Sequence, residues 1–316
     1  MKKYLHYFLC TAAIAAFTAC SDDDDYGNDS VFTTYCLEHF DSNRNGVIEV
    51  EEVDTVTYLD VREMGITSLK DIENFTALRE LVCSNNQLTE LDVSKNTSLT
   101  FLDCSGNQLT ELNLSKNKTL TRLYCYGNQL TTLDVSQNTL LEWLHCSGNL
   151  LTELDVSKNT ALTGLNCDGN QLSELNISKN TALKGLGCTN NRLTELDIGK
   201  NTALTDLHCY YNQLTALDVS KNTGLTDLYC YHNQLTELNV SKNTALTTLY
   251  CHYNQIQELD ISNTNLINCK GDYPLLCAPM KTLQTLYLKT GWELEGINKN
   301  RDIRCVPAQT EIKYKK

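Results

Sequence analysis

Basic residues are few in this chain of 316 residues. It has 26 Lys and Arg and 39 Asp and Glu, which gives a formal net charge of −13. Proteins that bind nucleic acid need positive charge to replace the counterions of the phosphate backbone. Anionic lipid headgroups attract the same sign of charge. We therefore expect neither nucleic acid nor an anionic lipid surface as a partner.

Sequence signatures of catalysis are also missing. The chain has no nucleophile elbow, phosphate-binding loop or zinc-ligand spacing. Asp206 with His208, and Asp227 with Tyr229, share an outward face and could exchange a proton. They lie on an open surface without a pocket, however, so we expect a protein that is not an enzyme.

An apolar run of membrane-spanning length is absent, and the apolar stretch at the N-terminus stops at an acidic run. Lys2 and Lys3 precede this stretch, so residues 1–19 are predicted to be an export signal. The residues Phe17-Thr18-Ala19-Cys20 resemble a bacterial lipobox, with phenylalanine in place of the usual leucine. The resemblance implies that Cys20 is acylated and anchors the mature chain to a membrane.

The acidic run that follows, Ser21–Asp25, has two interpretations. It resembles the signal that sends lipoproteins of Bacteroidetes-type bacteria to the outer face of the outer membrane, which is the location that we favour. The alternative is a solvated acidic tether over residues 20–30. Removal of Lys2 and Lys3 with the signal leaves 24 basic and 39 acidic residues, a net charge of −15.

A cysteine returns every 21 residues, with a leucine two positions before it and an asparagine three positions after it. The nine members are Cys83, Cys104, Cys125, Cys146, Cys167, Cys188, Cys209, Cys230 and Cys251. Such a period is typical of a solenoid, whose coils bury their apolar faces against one another. Leu81-x-Cys83 and Leu91-x-Val93 alternate with period two, which predicts two strands and two turns in each coil. We therefore expect a slim, mainly β solenoid.

The repeated pattern L-x-x-L-x-C-x-x-N-x-L-x-x-L-D-V-S-x-N resembles the bacterial leucine-rich repeats, above all the cysteine-ladder kind of internalin J-like surface proteins. The resemblance covers residues 57–266 and implies a right-handed superhelix with a parallel sheet that binds partners without catalysis. A lipobox stands in place of the C-terminal cell-wall sorting signal of those proteins, which fits an outer membrane.

The repeated cysteines are expected to be free. Neighbouring coils bring their Cα atoms about 4.8 Å apart, within disulfide range. Side chains in register on parallel strands point the same way, however, and an odd number of them cannot pair completely. We predict that the thiols pack in the core as small apolar groups. A C-terminal cap is predicted over 267–316. The sequence does not decide whether Cys269, Cys277 and Cys305 form a disulfide there, and Cys277–Cys305 is the pair considered.

The outward positions beside the cysteines differ between coils, whereas the second face of each coil is nearly constant and is assigned no ligand. We call the aromatic residues of the last three coils the aromatic grid: His208, Tyr210, Tyr211, Tyr229, Tyr231, His232, Tyr250, His252 and Tyr253. The N-terminal aromatic cluster comprises Tyr124, Tyr126, Trp143 and His145. Between the two sets, Gly164, Gly185 and Gly187 predict a shallow step.

Two interpretations of these aromatic residues compete. Aromatic neighbours on adjacent strands stabilise a sheet by about 0.2–1 kcal/mol per pair. Contiguous exposed aromatic residues also mark interaction sites. Because the aromatic residues avoid the second face and cluster in certain coils, we favour a binding surface for a protein or glycoprotein, in an adhesin or receptor. Capture of a glycan for nutrient uptake is the alternative, and we expect a monomer.

Residues 41–52 fit the calcium-loop pattern D-x-[DN]-x-[DN]-G-x5-E. The predicted Ca²⁺ ligands are the side chains of Asp41, Asn43 and Asn45, the carbonyl of Val47, Glu49 directly or through water, and Glu52. Gly46 allows the sharp turn, and Ile48 is the apolar residue expected inside. We expect one weak structural site in an N-terminal cap over 31–56, with a short helix over Val31–Phe40 before it. A plain polar turn is the alternative.

Overall fold

The structure is a computed structural model of the chain, and it describes residues 30–266, 275–276, 282–290 and 309–315. Its main element is a parallel sheet of eleven strands in the order β1 to β10 and then β12. These strands are β1 (Tyr58–Asp60), β2 (Glu80–Val82), β3 (Phe101–Asp103), β4 (Arg122–Tyr124), β5 (Trp143–His145), β6 (Gly164–Asn166), β7 (Gly185–Gly187), β8 (Asp206–His208), β9 (Asp227–Tyr229), β10 (Thr248–Tyr250) and β12 (Leu275–Leu276).

Each coil from β2 to β10 contributes one strand of three residues, and successive strands start 21 residues apart. The central leucine of each strand is in register with the central leucine of the next, as with Leu207 and Leu228. The leucine side chain enters the core while its two neighbours face outward. The predicted solenoid of stacked coils with a parallel sheet is confirmed.

The nine repeated cysteines follow the strands, are free and are fully buried. Burial raises the pKa of the Cys146 thiol to about 12, and it raises the pKa values of the other seven thiols between Cys83 and Cys230 for the same reason. Cys251 is buried to the same degree as its neighbours. A protonated thiol is a weak nucleophile and a poor metal ligand. The prediction that these cysteines pack as apolar core residues is confirmed.

Two ladders of buried asparagines join the coils. In the first, the Asn170 Nδ2 donates to the carbonyl oxygens of Cys146 and Cys167, both at 3.0 Å, and the Leu151 N–H donates to its Oδ1 at 3.1 Å. In the second, the Asn180 Nδ2 donates to the carbonyl of Val156 at 2.9 Å. These bonds link each coil to the one before it and satisfy backbone groups that have no strand partner.

The second strand that the sequence predicts in each coil, around Leu91–Val93, does not form. The carbonyl at the end of this segment is used elsewhere: the Ile177 carbonyl accepts the N–H of Asn180 in a turn and the Nδ2 of Asn201 from the next coil. A carbonyl that already accepts two hydrogen bonds cannot also join a strand ladder. In the described coils, only the last has a strand at this position, β11 (Glu258–Asp260), which pairs with β13 (Thr285–Lys289).

Both ends of the solenoid are covered. At the N-terminus, α1 (Ser30–His39) and α2 (Val50–Val53) precede β1, and a 3₁₀ helix follows it (Ile72–Asn74). Phe32 is buried there, and the ring of Phe40 meets that of Phe75 edge-on at 5.4 Å. At the C-terminal end, β11, β13 and β14 (Glu311–Lys315) form a second parallel sheet.

Several predicted features lie outside the described residues: the export signal over 1–19, Cys20, nearly all of the acidic tether, and Cys269, Cys277 and Cys305. Within the described part of the chain, no helix has the length and apolarity that a membrane crossing requires.

Candidate binding face

The structure brings all nine residues of the aromatic grid together at the ends of β8, β9 and β10. The register pairs His208 with Tyr229, and Tyr229 with Tyr250. The grid has an inner column of His208, Tyr229 and Tyr250, a middle column of Tyr210, Tyr231 and His252, and an outer column of Tyr211, His232 and Tyr253. Each column runs along the solenoid axis, with one ring from each coil.

The middle column is a continuous stack of rings. The ring centroids of Tyr210 and Tyr231 lie 4.3 Å apart with an interplanar angle of 9°, and those of Tyr231 and His252 lie 4.4 Å apart with the same angle. In the inner column the rings are tilted, and Tyr229 meets Tyr250 edge-on at 4.9 Å. Because the faces in the stack cover one another, solvent meets a row of ring edges rather than flat faces.

The outer column is stacked as well, but its backbone is unusual. His232 lies 4.3 Å from Tyr211 and 4.0 Å from Tyr253, measured between ring centroids. The φ angles of these three residues are 52–54°, in the left-handed region. The same position in the preceding coils holds only glycine or asparagine: Asn85, Gly106, Gly127, Gly148, Gly169 and Asn190.

The strain in the outer column offsets the gain from stacking. The left-handed conformation costs a residue with a Cβ about 1–2 kcal/mol, whereas glycine and asparagine adopt it readily. An aromatic pair returns about 0.5–1.5 kcal/mol. Stabilisation of the sheet therefore does not explain why tyrosine and histidine replace glycine and asparagine here. Strained residues of this kind cluster at binding and active sites.

The N-terminal aromatic cluster is brought together only in part. Tyr126 stacks on His145 with a centroid distance of 4.4 Å, and Tyr124 meets His145 edge-on at 6.0 Å. Sequence analysis missed two members: Phe101 meets Tyr124 edge-on at 5.3 Å, and the Arg122 guanidinium lies 4.8 Å from the Phe101 ring centre. Both occupy the outward position at the start of a strand, and the variation of this position between coils is the sequence signal that could have identified them.

Trp143 stands apart from this cluster and alters the predicted glycine step. Its indole ring lies over Gly164, where a Cβ would overlap the ring. Gly164 is therefore buried and forms no step, which corrects the prediction at this residue. The next strand keeps open space above Gly185, where no atom lies within 4 Å of a Cβ position. The indole is 41% exposed at the edge of this opening.

Three histidines on this face, His145, His208 and His232, have a pKa below the usual imidazole value. Burial lowers the pKa of His145 to about 4. Burial also lowers the pKa of His208, although the carboxylates of Asp168, Asp206 and Asp227 act in the opposite direction. Desolvation lowers the pKa of His232. The tyrosines and these imidazoles therefore add no positive charge to the face.

The predicted calcium loop is closed by its own side chains. Asp41 accepts hydrogen bonds from the N–H groups of Asn45 at 3.1 Å and Gly46 at 2.9 Å. The amides of Asn43 and Asn45 both donate to the Glu49 carboxylate, at 2.9 and 2.7 Å. Glu52 Oε1 accepts the N–H of Ser42 and Oε2 accepts that of Glu49. The side chains of five of the six predicted ligand residues thus form hydrogen bonds within the loop, those of Asn43, Asn45 and Glu49 with one another and those of Asp41 and Glu52 with backbone N–H groups.

The backbone of the loop turns sharply at Gly46 and is attached to the first coil at Ile48. Gly46 has φ +83° and makes the sharp turn, and Val47 donates its N–H to Asn45 Oδ1. Ile48 is buried, and its carbonyl accepts a hydrogen bond from Asn74 on the first coil. Within the described residues, no three His, Cys, Asp or Glu side chains form a metal-binding group. A cation would thus need asparagine and backbone oxygens as well, and such an all-oxygen set is the chemistry that Ca²⁺ accepts.

Comparison with known proteins supports the solenoid class. No protein-family model matches the chain. Internalin J of Listeria monocytogenes serotype 4b (strain F2365) is 41% identical over 73 residues, which span 23% of this chain and 8% of that protein. The functional domain of InlJ from Listeria monocytogenes, described as including a cysteine ladder, is 42% identical with a TM-score of 0.68. That match covers 77% of this chain and 50% of the other.

A leucine-rich-repeat protein of Leptospira interrogans has the same fold, with a TM-score of 0.62 at 24% identity, over 83% of this chain and 85% of that one. The chain spans half or less of the two internalin J sequences that it matches. In this chain the strands repeat every 21 residues in a parallel sheet, and the buried thiols form a ladder, which is the feature named for the InlJ domain. The chain is a leucine-rich-repeat solenoid with a cysteine ladder, similar to the functional domain of InlJ.

Proposed function

We propose that this protein is a non-enzymatic surface protein of bacteria, an adhesin or receptor that binds a protein or glycoprotein through the aromatic grid. The left-handed backbone of the outer column carries the proposal, because it places Tyr211, His232 and Tyr253 where the scaffold otherwise uses glycine or asparagine. Tyrosine is also favoured at protein interfaces, where its large ring contributes contact area with little loss of side-chain entropy.

The protein is held at the membrane by a lipid on Cys20 in this proposal, and the acidic tether presents the solenoid at the outer face of the outer membrane. The lipobox-like sequence at 17–20 and the acidic run after it support this location. Incorporation of labelled palmitate into the wild-type protein, and none into Cys20→Ser, is the expected result. Equal labelling of both proteins would contradict the anchor.

Photocrosslinking tests the binding face. The photoreactive amino acid p-benzoylphenylalanine replaces Tyr231 in one protein and Thr236 in another. Thr236 is the matched control, because it is exposed on the second half of the same coil. We expect adducts with an extracellular protein from position 231 and none from position 236. Adducts from position 236 alone, or equal adducts from both positions, would contradict the proposal.

Glycan capture is the second candidate, and the position of Trp143 favours it. An indole that lies flat over Gly164 beside the open space at Gly185 offers a platform for a sugar ring. On a glycan array, Trp143→Ala should abolish saccharide binding if this candidate is correct, as should Tyr229→Ala and Tyr231→Ala. No saccharide signal from the wild-type protein would leave the protein partner as the proposal.

We also propose that residues 41–52 bind one Ca²⁺ ion that stabilises the N-terminal cap. The support comes from the oxygen ligands of the loop and from its attachment to the first coil through Ile48 and Asn74. A single loop with three acidic ligands binds weakly, which suffices at extracellular calcium concentrations of about a millimolar.

A further inference from the structure

We infer that a neutral sugar ring binds in a recess of the sheet between the two aromatic sets, stacked on the Trp143 indole. We call this recess the glycine notch and define it by Trp143, Asp168, Gly185 and Gly187. The inference rests on glycan capture, the second candidate function, and assigns a binding site to it. The notch lies outside the aromatic grid, so the inference does not depend on the contacts of the grid residues.

Gly185 forms the floor of the notch, and neither the backbone nor the packing requires a glycine there. Gly164 is required because the Trp143 ring fills the space of its Cβ, and Gly187 because an Asp168 oxygen lies 3.0 Å from its Cβ position. At Gly185 no atom lies within 4 Å of that position, and φ is outside the left-handed region. A glycine inside a strand weakens it, since there is no side chain to pack. Open space that costs stability in this way points to a bound group.

Along the sheet, a tryptophan borders the notch on one side and an aspartate on the other. Trp143, Gly164, Gly185 and Asp206 are in register, so the rows of Trp143 and Asp206 are three strand spacings, about 14 Å, apart. The indole covers the first of the two rows between them and leaves the second open. It is 41% exposed at this border. The electron-rich face of an indole attracts the C–H groups on one face of a sugar ring.

The Asp168 carboxylate supplies a polar group that the protein already holds in place. Its Oδ1 accepts the Thr189 N–H at 2.6 Å, and the Thr189 hydroxyl and the Asn166 side chain also hydrogen-bond to the carboxylate. Both oxygens lie beside Gly187, at 3.0 and 3.2 Å from its Cβ position. That position is about 6.5 Å along the strand from Gly185. A carboxylate has about four acceptor positions, so these three bonds leave room for a sugar hydroxyl.

The electrostatics of Asp168 favour such a hydroxyl. Burial raises the pKa of this carboxyl, although the hydrogen bonds from Thr189 and Asn166 act in the opposite direction. The protein donors therefore compensate only part of the desolvation of the carboxylate. A ligand hydroxyl that donates to it would offset more of this cost, because hydrogen bonds to a charged acceptor are stronger than neutral ones.

The rim of the notch carries both signs of charge, which favours a neutral ligand over an ion. Lys184 precedes Gly185, Asp206 is in register with Gly185 on the next strand, and both charged residues are exposed. A ligand anion would meet Asp168 and Asp206, and a ligand cation would meet Lys184. A sugar hydroxyl both donates and accepts, so it suits the carboxylates and the ammonium alike. A longer glycan would continue onto the aromatic grid, since His208 lies on the strand next to the notch.

A glycan array that displays neutral, sialylated and sulfated oligosaccharides tests the inference on the full chain. The test variants are Gly185→Thr, which fills the notch, and Asp168→Asn, which removes the carboxylate. Threonine holds the position of Gly185 at Thr248, and a Cβ has free space there. The matched controls change a glycine and an aspartate of another coil to residues found at the same positions elsewhere: Gly224→Ala and Asp218→Asn.

We expect the wild type to bind neutral oligosaccharides and both test variants to lose at least about tenfold in apparent affinity, as the loss of a hydrogen bond to a charged group implies. Both controls should stay within about twofold of the wild type. The melting temperature of Gly185→Thr should equal or exceed that of the wild type, because threonine favours strands. A glycine that the fold requires would instead make this variant less stable.

Wild-type saccharide binding in both test variants would overturn the inference and leave glycan capture to another surface of the protein. Binding confined to sialylated or sulfated glycans would overturn it as well, since the ligand would then be an anion. No signal from the wild-type protein would remove glycan capture together with the notch. The protein-binding proposal is tested separately, by the adducts from positions 231 and 236.

Discussion

The strain in the outer column predicts an unusual difference between two neighbouring tyrosines. Tyr211→Asn removes the stacked pair with His232, worth about 0.5–1.5 kcal/mol, and two more distant edge-on contacts of this exposed ring, with Tyr210 at 5.8 Å and Tyr231 at 5.6 Å. It also relieves a left-handed backbone that costs tyrosine about 1–2 kcal/mol and that asparagine tolerates, as Asn85 and Asn190 do in the preceding coils. The two effects nearly cancel. We therefore expect the free energy of unfolding to change by less than about 1 kcal/mol.

Tyr210→Ser is the matched comparison, because Ser105 and Ser147 hold this position in other coils. Tyr210 has no positive φ to relieve and stacks on Tyr231 at 4.3 Å. Its loss removes the stack and the burial of the half-buried ring, so we expect a destabilisation of about 1–3 kcal/mol. Urea unfolding followed by circular dichroism measures both variants, with the m-value checked for constancy.

The result that would refute the reasoning is a loss of stability in Tyr211→Asn as large as that in Tyr210→Ser. The outer column would then stabilise the fold, and its aromatic residues would need no binding role. A small change in Tyr211→Asn together with weaker partner binding would show that the outer column serves the binding face at little benefit to stability.

Three further predictions concern the scaffold. Asn170→Ala should lower the free energy of unfolding by about 3–5 kcal/mol, because it removes three hydrogen bonds and leaves the buried Leu151 N–H unpaired; an effect under about 1 kcal/mol would contradict the ladder. Chelation of calcium should lower the melting temperature of the wild type but not of Glu52→Gln, and an unchanged wild-type melt would remove the calcium proposal. Stability should fall as the pH drops from about 6.5 to 4, because the unfolded chain protonates His145 more readily than the folded one, whose pKa burial lowers to about 4; an equally steep fall in His145→Gln would assign the effect elsewhere.

The solenoid could be predicted from the sequence because each coil repeats the same local pattern. The spacing of Leu81 and Cys83 set the inward positions, and the outward columns followed from them. The second strand failed for a physical reason: the segment around Leu91–Val93 has the alternation of a strand, but the Val93 carbonyl accepts the N–H of Asn96 in a turn and the Nδ2 of Asn117 from the next coil. Periodicity reports which side chains are buried and does not report where the backbone hydrogen bonds go.

The residues of the candidate binding face could be grouped from the sequence, but the geometry in which they meet could not be predicted as well. The sequence placed Tyr211 at the end of a strand, but a column of aligned residues does not reveal a left-handed φ. The glycines that hold this position in other coils were the available sequence signal for a left-handed φ. The overlap of Trp143 with Gly164 could not be predicted either, because it depends on which way a long side chain leans along the sheet.

Replacement of the two tyrosines of the middle column with the serine found at this position in other coils tests the central claim most directly. The variant Tyr210→Ser with Tyr231→Ser keeps the scaffold, since serine holds this position at Ser84, Ser105 and Ser147. Its binding is measured with the partner that photocrosslinking identifies, beside the control Thr236→Ala, which is exposed on the second half of the same coil as Tyr231. We expect the double variant to lose at least about tenfold in affinity while the control stays within about twofold. Wild-type affinity in the double variant would contradict a binding role for the aromatic grid.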